Sequence, residues 1–325
     1  MTYHQTIFRS INEDHPGEKW LACFSQFAPG YRQWFLKEGE FNRPSYEACK
    51  QAIKQYLPKL YPLYKTLLKL TNSTDIDARL LSLYCPTPYV TGCSQAVWTR
   101  YTPILVRNYD YDPSLSEGVL LNSCWHGTRV IAMTDCLWGV LDGMNEHGLS
   151  VALSFGGNDD VGSGFGIPLV LRYILEFCQT TAEAIEILQT VPIHMAYNIT
   201  ILDAQFEYKT VEVSPVHPPI VSNNPIAVNH QGSIELTNYA IFSKSLERKQ
   251  QLLQKIQDPL ISIEAFINAF EYAPLFVSNY QGGFGTLYTA VYNPGLRAME
   301  YRWPHGIRLY QSFDHFDEKE FLVTF

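Results

Sequence analysis

The sequence lacks long apolar runs and clusters of basic residues. No uncharged apolar stretch approaches the roughly 20 residues that span a bilayer, so we expect no membrane segment. The opening MTYHQTIFRS lacks the basic start and apolar run of a secretory signal, and we therefore expect a cytoplasmic location. The chain carries 32 acidic and 24 basic residues and a net charge of −8, which disfavours nucleic acid as a partner.

Cysteine is sparse and unpatterned. Seven cysteines are scattered over 325 positions with no C-x-x-C pair, which argues against a disulfide framework and a structural zinc site. The segments around His126 and His147 lack the helical HxxxH spacing of metal ligands. We therefore expect no metal and no cofactor, and most of the cysteines should be small buried side chains.

Hydrophobic periodicity divides the chain near residue 92. Before it, apolar residues recur at helical spacing, Pro58 and Pro62 interrupt them, and Thr74 with Asp77 has capping-box spacing, so we expect a helical segment. After it, short apolar runs bounded by glycine predict strands, two helical pairs and two hairpins. This order indicates two sheets packed face to face with helices outside them.

Cys93 follows Gly92 at this division, in the segment PYVTGCSQAVW. The helical segment meets the first strand there, so Cys93 should lie at a strand start, a position that suits a nucleophile. A lone cysteine is nevertheless more often a packed core residue. Position alone therefore leaves both interpretations open.

Five short motifs occur in a fixed order: TGCSQ, VRNYDYD, DGMNEHGLSVAL, VEVSP followed by IAVNHQ, and SLERKQQLL. Together they resemble the cysteine-type N-terminal nucleophile (Ntn) hydrolases. The most similar branch contains isopenicillin N acyltransferase, and the choloylglycine hydrolases are more distant. The resemblance implies an α+β fold, a four-layer αββα sandwich of two mainly antiparallel sheets, over residues 93–325. It implies that residues 1–92 are a helical propart that becomes a small subunit.

The resemblance also implies self-cleavage between Gly92 and Cys93. The thiol would attack the Gly92 carbonyl, the peptide would shift to a thioester, and water would release a chain that starts at Cys93. Glycine favours this reaction because it has no Cβ and tolerates strained backbone angles. The new α-amine, with a pKa of about 7.7–8.0, would then accept the thiol proton.

The other implied site residues are mostly charged. Arg107 and Asp110 match the family's arginine and aspartate on the strand that faces the nucleophile. The arginine could lower the pKa of the thiol, and the carboxylate could hold the α-ammonium or the thiol. Arg248 matches a late arginine of the same network. The alternative for Arg107 and Asp110 is a structural ion pair without a catalytic role.

Asn229 matches the family's asparagine, whose amide could donate to the oxyanion of a tetrahedral intermediate. Asn223 and Asn224 compete with it, because the bile-salt branch has its asparagine before a proline-containing turn. Choloylglycine hydrolases have a second asparagine after the NExGL motif, but the aligned residue here is Phe155. A backbone amide near Cys93 or in the loop of Gly156 and Gly157 could replace that donor.

We therefore expect a self-processing cysteine amidohydrolase or acyltransferase that acts through an acyl-enzyme on Cys93. Its substrate would be a linear C–N amide or an acyl thioester, coenzyme A thioesters included. Two alternatives stay open: a catalytically silent relative that binds an acyl or peptide-like ligand, and an enzyme in which uncleaved Cys93 works with a separate base. The acyl group, the choice between hydrolysis and transfer, and the oligomeric state do not follow from the sequence.

Overall fold

The computed structural model describes residues 4–232 and 235–325, and these residues form two β-sheets with helices around them. The strands, numbered in chain order, are β1 (Gln5–Glu13), β2 (Gly92–Trp98), β3 (Ile104–Tyr111), β4 (Val119–Ser123), β5 (Val130–Asp135), β6 (Gly139–Asn145), β7 (Ser150–Phe155), β8 (Tyr197–Leu202), β9 (Tyr208–Val213), β10 (Ile220–Ser222), β11 (Ile226–Ala227), β12 (Ser278–Asn279), β13 (Phe284–Asn293), β14 (Ala298–Arg302), β15 (Arg308–Ser312) and β16 (Lys319–Thr324). The helices are α1 (Glu18–Phe35), α2 (Tyr46–Tyr56), α3 (Tyr61–Leu70), α4 (Asp75–Leu81), α5 (Ile167–Phe177), α6 (Thr181–Thr190), α7 (Thr237–Phe242), α8 (Ser245–Gln257) and α9 (Ile263–Ala269).

The larger sheet has nine strands in the order β10-β9-β8-β7-β6-β5-β4-β1-β16. The smaller sheet has the order β11-β2-β3-β13-β14-β15, and β12 pairs with β13 as its seventh strand. The pairs are antiparallel except β1 with β4, which is parallel. The two mainly antiparallel sheets that the sequence predicts are therefore confirmed.

The two sheets pack against each other, and helices cover their outer faces. Side chains alternate along β2, so that Cys93 and Val97 join the core between the sheets while Ala96 and Trp98 face the other way. Trp98 meets Phe266 of α9 there, with ring centroids 5.2 Å apart. Helices α5 and α6 cover the larger sheet, which completes the αββα sandwich. No described helix has the length and apolarity needed to cross a bilayer.

The N-terminal segment contains a strand as well as helices. Strand β1 lies between β4 and β16 and pairs with both, and Phe8 on it is buried. The expectation that residues 1–92 are helical is therefore wrong for β1. The division at residue 92 into a propart and a catalytic domain stays a prediction.

Several local predictions are confirmed. Thr74 with Asp77 and Thr180 with Glu183 form capping boxes at α4 and α6. The two proline residues separate α2 from α3, since Pro58 begins a 3-10 turn and Pro62 lies in the first turn of α3. The expected hairpins are β8–β9 and β13–β14.

Candidate active site

The candidate nucleophile lies at the start of β2, inside the protein. The chain is continuous through Gly92 and Cys93, and β2 pairs with β3 so that Gly92 lies opposite Asp110 and Cys93 opposite Tyr109. The Cys93 side chain is completely buried. Its nitrogen is a peptide N–H that donates to Asn229 Oδ1 at 3.0 Å. The thiol of Cys93 is therefore enclosed on the side of the sheet that faces the core.

Arg107 is the charged group that contacts the thiol. Its Nη2 donates to Cys93 Sγ at 3.2 Å, and its Nε donates to the Leu153 carbonyl at 3.1 Å. Burial raises the pKa of the Cys93 thiol and outweighs the lowering by Arg107. Arg107 therefore acts on the pKa of the thiol in the direction that the resemblance implies, but burial has the larger effect, and in the uncleaved chain the thiol stays protonated at neutral pH.

Asp142 on β6 holds Arg107 from the larger sheet. It accepts a hydrogen bond from Arg107 Nη1 and from the hydroxyls of Tyr288 (2.6 Å) and Tyr292, and the side chains of both Arg107 and Asp142 are fully buried. The sequence reasoning assigned no role to Asp142. A signal was present, because Asp142 opens the DGMNEHGLSVAL motif as a lone carboxylate in an apolar run.

Asp110 and Arg248 form a second buried ion pair on the other face of the smaller sheet. Arg248 Nη1 lies 2.7 Å from Asp110 Oδ2, and Thr286 Oγ1 donates to Asp110 Oδ1 at 2.6 Å. Arg107 and Asp110 are three residues apart on a strand, so their side chains point to opposite faces. Both residues lie on β3, the strand paired with that of the candidate nucleophile, and of the two it is Arg107 that contacts the thiol. Asp110 instead lies beside the backbone of Gly92.

Asn229 is positioned by the start of α8. Its backbone N–H donates to Ser245 Oγ at 3.0 Å, and that hydroxyl also lies 2.7 Å from His230 Nδ1. The buried Asn229 Nδ2 has no hydrogen-bond partner within the described part of the chain, so it is a spare donor beside Cys93. Asn223 and Asn224 lie in the connection between β10 and β11 instead. Asn223 Oδ1 accepts a hydrogen bond from Lys209 Nζ, and Asn224 Oδ1 accepts one from the Ile226 N–H.

Aromatic side chains enclose the backbone before Cys93. The Tyr239 hydroxyl of α7 donates to the Thr91 carbonyl at 2.6 Å. A Cβ added to Gly92 would lie 2.2 Å from Phe284 Cζ, so no other residue fits there without movement of the ring. Gly92 does not have a positive φ. The reason for glycine is therefore close contact with Phe284, and the expected backbone strain is not found.

A cavity of about 490 Å³ lies between α1 and the β-sandwich, next to this site. Its aromatic walls come from both sides of residue 92: Phe27, Tyr31, Trp34, Tyr89 and Tyr111. The Tyr109 ring links the cavity wall to the thiol's surroundings, because its centroid is 5.8 Å from that of Tyr111 and 4.8 Å from the Arg107 guanidinium carbon.

Two carboxyls line this cavity. The Tyr31 hydroxyl lies 2.5 Å from Glu117 Oε1 and 2.6 Å from Asp135 Oδ1. One hydroxyl proton cannot serve two carboxylates, so a second proton is favoured between them. Burial, followed by the charge of Asp135, raises the pKa of Glu117 to about 7.

Metal ligands are not clustered in residues 4–232 and 235–325, where no group of three or more histidine, cysteine or acidic side chains could hold an ion. The seven cysteines, which all lie in this part of the chain, are free thiols. The hydrogen-bond partners of Cys93 there are Asn229 and Arg107, and no described histidine bonds to it.

Known proteins provide an independent comparison. The sequence profile of the family described as acyl-coenzyme A:6-aminopenicillanic acid acyl-transferase matches residues 98–308. No match is found among curated proteins.

Similar solved structures include penicillin V acylase from Agrobacterium tumefaciens, with 10% identity, a TM-score of 0.48, and coverage of 68% of this chain and 86% of that chain. The Caenorhabditis elegans ortholog of N-acylethanolamine-hydrolyzing acid amidase has 18% identity and a TM-score of 0.47, and 71% of this chain and 99% of that chain are covered. A mutant of conjugated bile acid hydrolase from Clostridium perfringens has 13% identity, a TM-score of 0.43, and coverage of 70% of this chain and 96% of that chain.

Proposed function

The chain belongs to the acyl-coenzyme A:6-aminopenicillanic acid acyl-transferase family, and on that premise we propose that it is a self-processing cysteine amidohydrolase or acyltransferase with Cys93 as nucleophile. One observation carries the proposal. The Cys93 thiol contacts Arg107 at 3.2 Å, and the Cys93 N–H is held by Asn229 at 3.0 Å, directly at the bond to Gly92. The Cys93 thiol, the Arg107 guanidinium and the Asn229 side-chain amide thus lie together at the peptide bond between Gly92 and Cys93.

Self-cleavage is the first step of the proposal. The Cys93 thiol adds to the Gly92 carbonyl, and the spare Asn229 Nδ2 donates to the oxyanion. The C–N bond then breaks, the nitrogen takes the thiol proton, and Gly92 is left as a thioester on Sγ. Water hydrolyses this thioester to give the Gly92 carboxylate, the free thiol and the α-amine of Cys93.

Turnover uses the amine that cleavage creates. The α-amine accepts the thiol proton while sulfur adds to the substrate carbonyl, and it then protonates the leaving amine. Arg107 stabilises the negative charge that develops on sulfur. The carboxylate of Asp110, held by Arg248 and lying opposite Gly92, is near enough to this end of β2 to hold the ammonium form.

We place the acyl group in the direction of the aromatic cavity. Tyr89 lines the cavity and lies only three residues before Gly92. The backbone that leads from the Gly92 carbonyl towards the N-terminus therefore runs to the cavity. Cavities of this size accept small-molecule ligands, and aromatic walls favour apolar parts of an acyl chain. Amides and acyl thioesters are the two substrate classes, since both form the same acyl-enzyme.

Mass spectrometry of the purified protein tests the proposal. We expect two fragments, with the larger one starting at Cys93, and a single intact chain for Cys93→Ala. Cys178→Ala, which also removes a buried thiol, is the matched control and should cleave normally.

The two alternatives give different results. An intact wild-type chain without amidase activity would indicate a silent relative. An intact chain with full activity that iodoacetamide abolishes at Cys93 would indicate that the thiol works uncleaved with another base. The absence of a histidine bonded to Cys93 in the described part of the chain argues against the second case.

A further inference from the structure

Self-cleavage and turnover pass through the same kind of intermediate. In the proposed function, on which this inference rests, cleavage places an acyl group on Cys93 Sγ whose reacting carbonyl is that of Gly92. A substrate places its own acyl group on the same sulfur. Water hydrolyses both thioesters at the same sulfur. A substrate acyl group should therefore occupy the space that Thr91 and Gly92 occupy in the uncleaved chain, and the side chains around these two residues should contact it.

At the position next to the reacting carbonyl, where the Gly92 Cα lies, there is room for a methylene group and little more. A Cβ on Gly92 would lie 2.2 Å from Phe284 Cζ, 2.7 Å from Phe284 Cε2 and 3.2 Å from Asp110 Cβ. Phe284 is 6% exposed and packs on Phe242 with ring centroids 4.7 Å apart, so a shift of its ring would disturb this contact. A branch next to the reacting carbonyl therefore meets a packed aromatic ring.

A hydrogen-bond donor lies further along the same acyl group. The Tyr239 hydroxyl donates at 2.6 Å to the Thr91 carbonyl, whose carbon is separated from the Gly92 carbonyl carbon by Cα and one nitrogen. The Tyr239 ring is fixed edge-on against Phe155, with centroids 5.3 Å apart. Burial holds the pKa of Tyr239 well above its usual range, so the hydroxyl stays a neutral donor.

We propose that the processed enzyme selects acyl groups of the N-acylglycyl type. These have an unbranched methylene next to the reacting carbonyl and an amide oxygen placed as the Thr91 oxygen is. Phe284 rejects a branch at the methylene, and Tyr239 binds the oxygen. Both residues determine specificity and take no part in the proton transfers.

Acylation by thioesters tests this selectivity without any requirement for a particular leaving amine. The probes are the phenyl thioesters of N-acetylglycine, N-acetyl-L-alanine and pentanoic acid, which has the same chain length without the amide. The rate of acyl transfer to Cys93 is followed by mass spectrometry of the large fragment. We expect N-acetylglycine to react about tenfold or more faster than N-acetylalanine, the usual effect of one extra methyl group in a pocket. Its advantage over pentanoate should be several-fold, the usual effect of one hydrogen bond, about 1 kcal/mol.

Two variants separate the two contacts. Phe284→Ala should bring N-acetylalanine close to the rate of N-acetylglycine. Tyr239→Phe should bring N-acetylglycine down to the rate of pentanoate and leave pentanoate unchanged. Tyr280→Phe removes a similar phenol-to-carbonyl bond, to Thr286 at 2.8 Å, and should change neither ratio.

The precursor gives a second measurement that does not need the probes. Gly92→Ala should slow self-cleavage strongly, and the double variant Gly92→Ala with Phe284→Ala should restore it. Equal acylation of the wild type by N-acetylglycine and N-acetylalanine, or a Gly92→Ala chain that cleaves at the normal rate, would overturn the inference. The proposed function fails on different results, namely an uncleaved wild type or no acylation of Cys93 by any of the thioesters.

Discussion

Asp142 offers the sharpest test of how this site is held together. Asp142→Asn removes the negative charge while it keeps the shape of the side chain. Arg107 would then stay buried without its ion-pair partner, and the hydroxyls of Tyr288 and Tyr292 would lose an anionic acceptor. Removal of one partner from a fully buried ion pair costs about 3–5 kcal/mol, because the remaining charge is not compensated.

The assay is urea-induced unfolding in a Cys93→Ala background, so that no chain can be cleaved at residue 92. We expect Asp142→Asn to lower the free energy of unfolding by about 3–5 kcal/mol. Arg107→Met alone should also be destabilising, and Arg107→Met combined with Asp142→Leu should cost less than the sum of the single changes. Asp317→Asn, which removes an exposed carboxylate paired with Lys319, is the control and should leave the midpoint unchanged.

The same change has a second expected effect, on the thiol. With Asp142 neutral, the positive charge of Arg107 acts on sulfur without compensation, so the pKa of Cys93 should fall and iodoacetamide should label it at lower pH in the otherwise wild-type chain. An Asp142→Asn protein within about 1 kcal/mol of its parent, with an unchanged labelling profile, would refute the reasoning.

Three further predictions follow from separate parts of the structure. Asn229→Ala should slow Cys93 acylation by about 10²–10³, the usual effect of one oxyanion donor, whereas Asn223→Ala should not. Glu117 has a folded pKa of about 7 against an ordinary 4.5, so its favourable contribution, full below pH 4.5, is lost as the pH rises through 7. Urea unfolding in the Cys93→Ala background should therefore show a loss of stability from Glu117 as the pH rises from 4.5 through 7, and Glu117→Gln should reduce that loss. After cleavage, 1–92 and 93–325 should co-elute in gel filtration until denaturant is added, because β1 pairs with strands on both sides.

The sequence predicted best where the signal is local. The capping boxes at Thr74 and Thr180, the two hairpins and the paired helices depend on residues a few positions apart, and all of them are present. The ordered motifs also led to the correct family, whose profile covers residues 98–308.

Features that depend on distant partners were missed. Strand β1 pairs with strands more than 100 residues away, and a nine-residue alternating run in a helical context does not reveal such partners. The opposite faces of Arg107 and Asp110 follow from strand periodicity once the strand is known, but which of the two contacts the thiol depends on how the sheets pack. Asp142 was missed because its partners, Arg107 and Tyr288, come from other strands and meet it only in the folded core.

The electrostatics of the site give a reason why activity would depend on scission. Two buried ion pairs lie near Cys93, Arg107 with Asp142 on the thiol's face of the smaller sheet and Arg248 with Asp110 on the other face, and within each pair the charges largely cancel. Burial therefore dominates the pKa of Cys93 and keeps the thiol protonated, and the described residues around it offer no neutral histidine to remove the proton. The nitrogen of Cys93 is the one atom on that residue that can become a base, and it does so only when the bond to Gly92 breaks. On this argument the uncleaved chain holds a nucleophile without a base, and the proposed cleavage supplies the base at the place where it is needed.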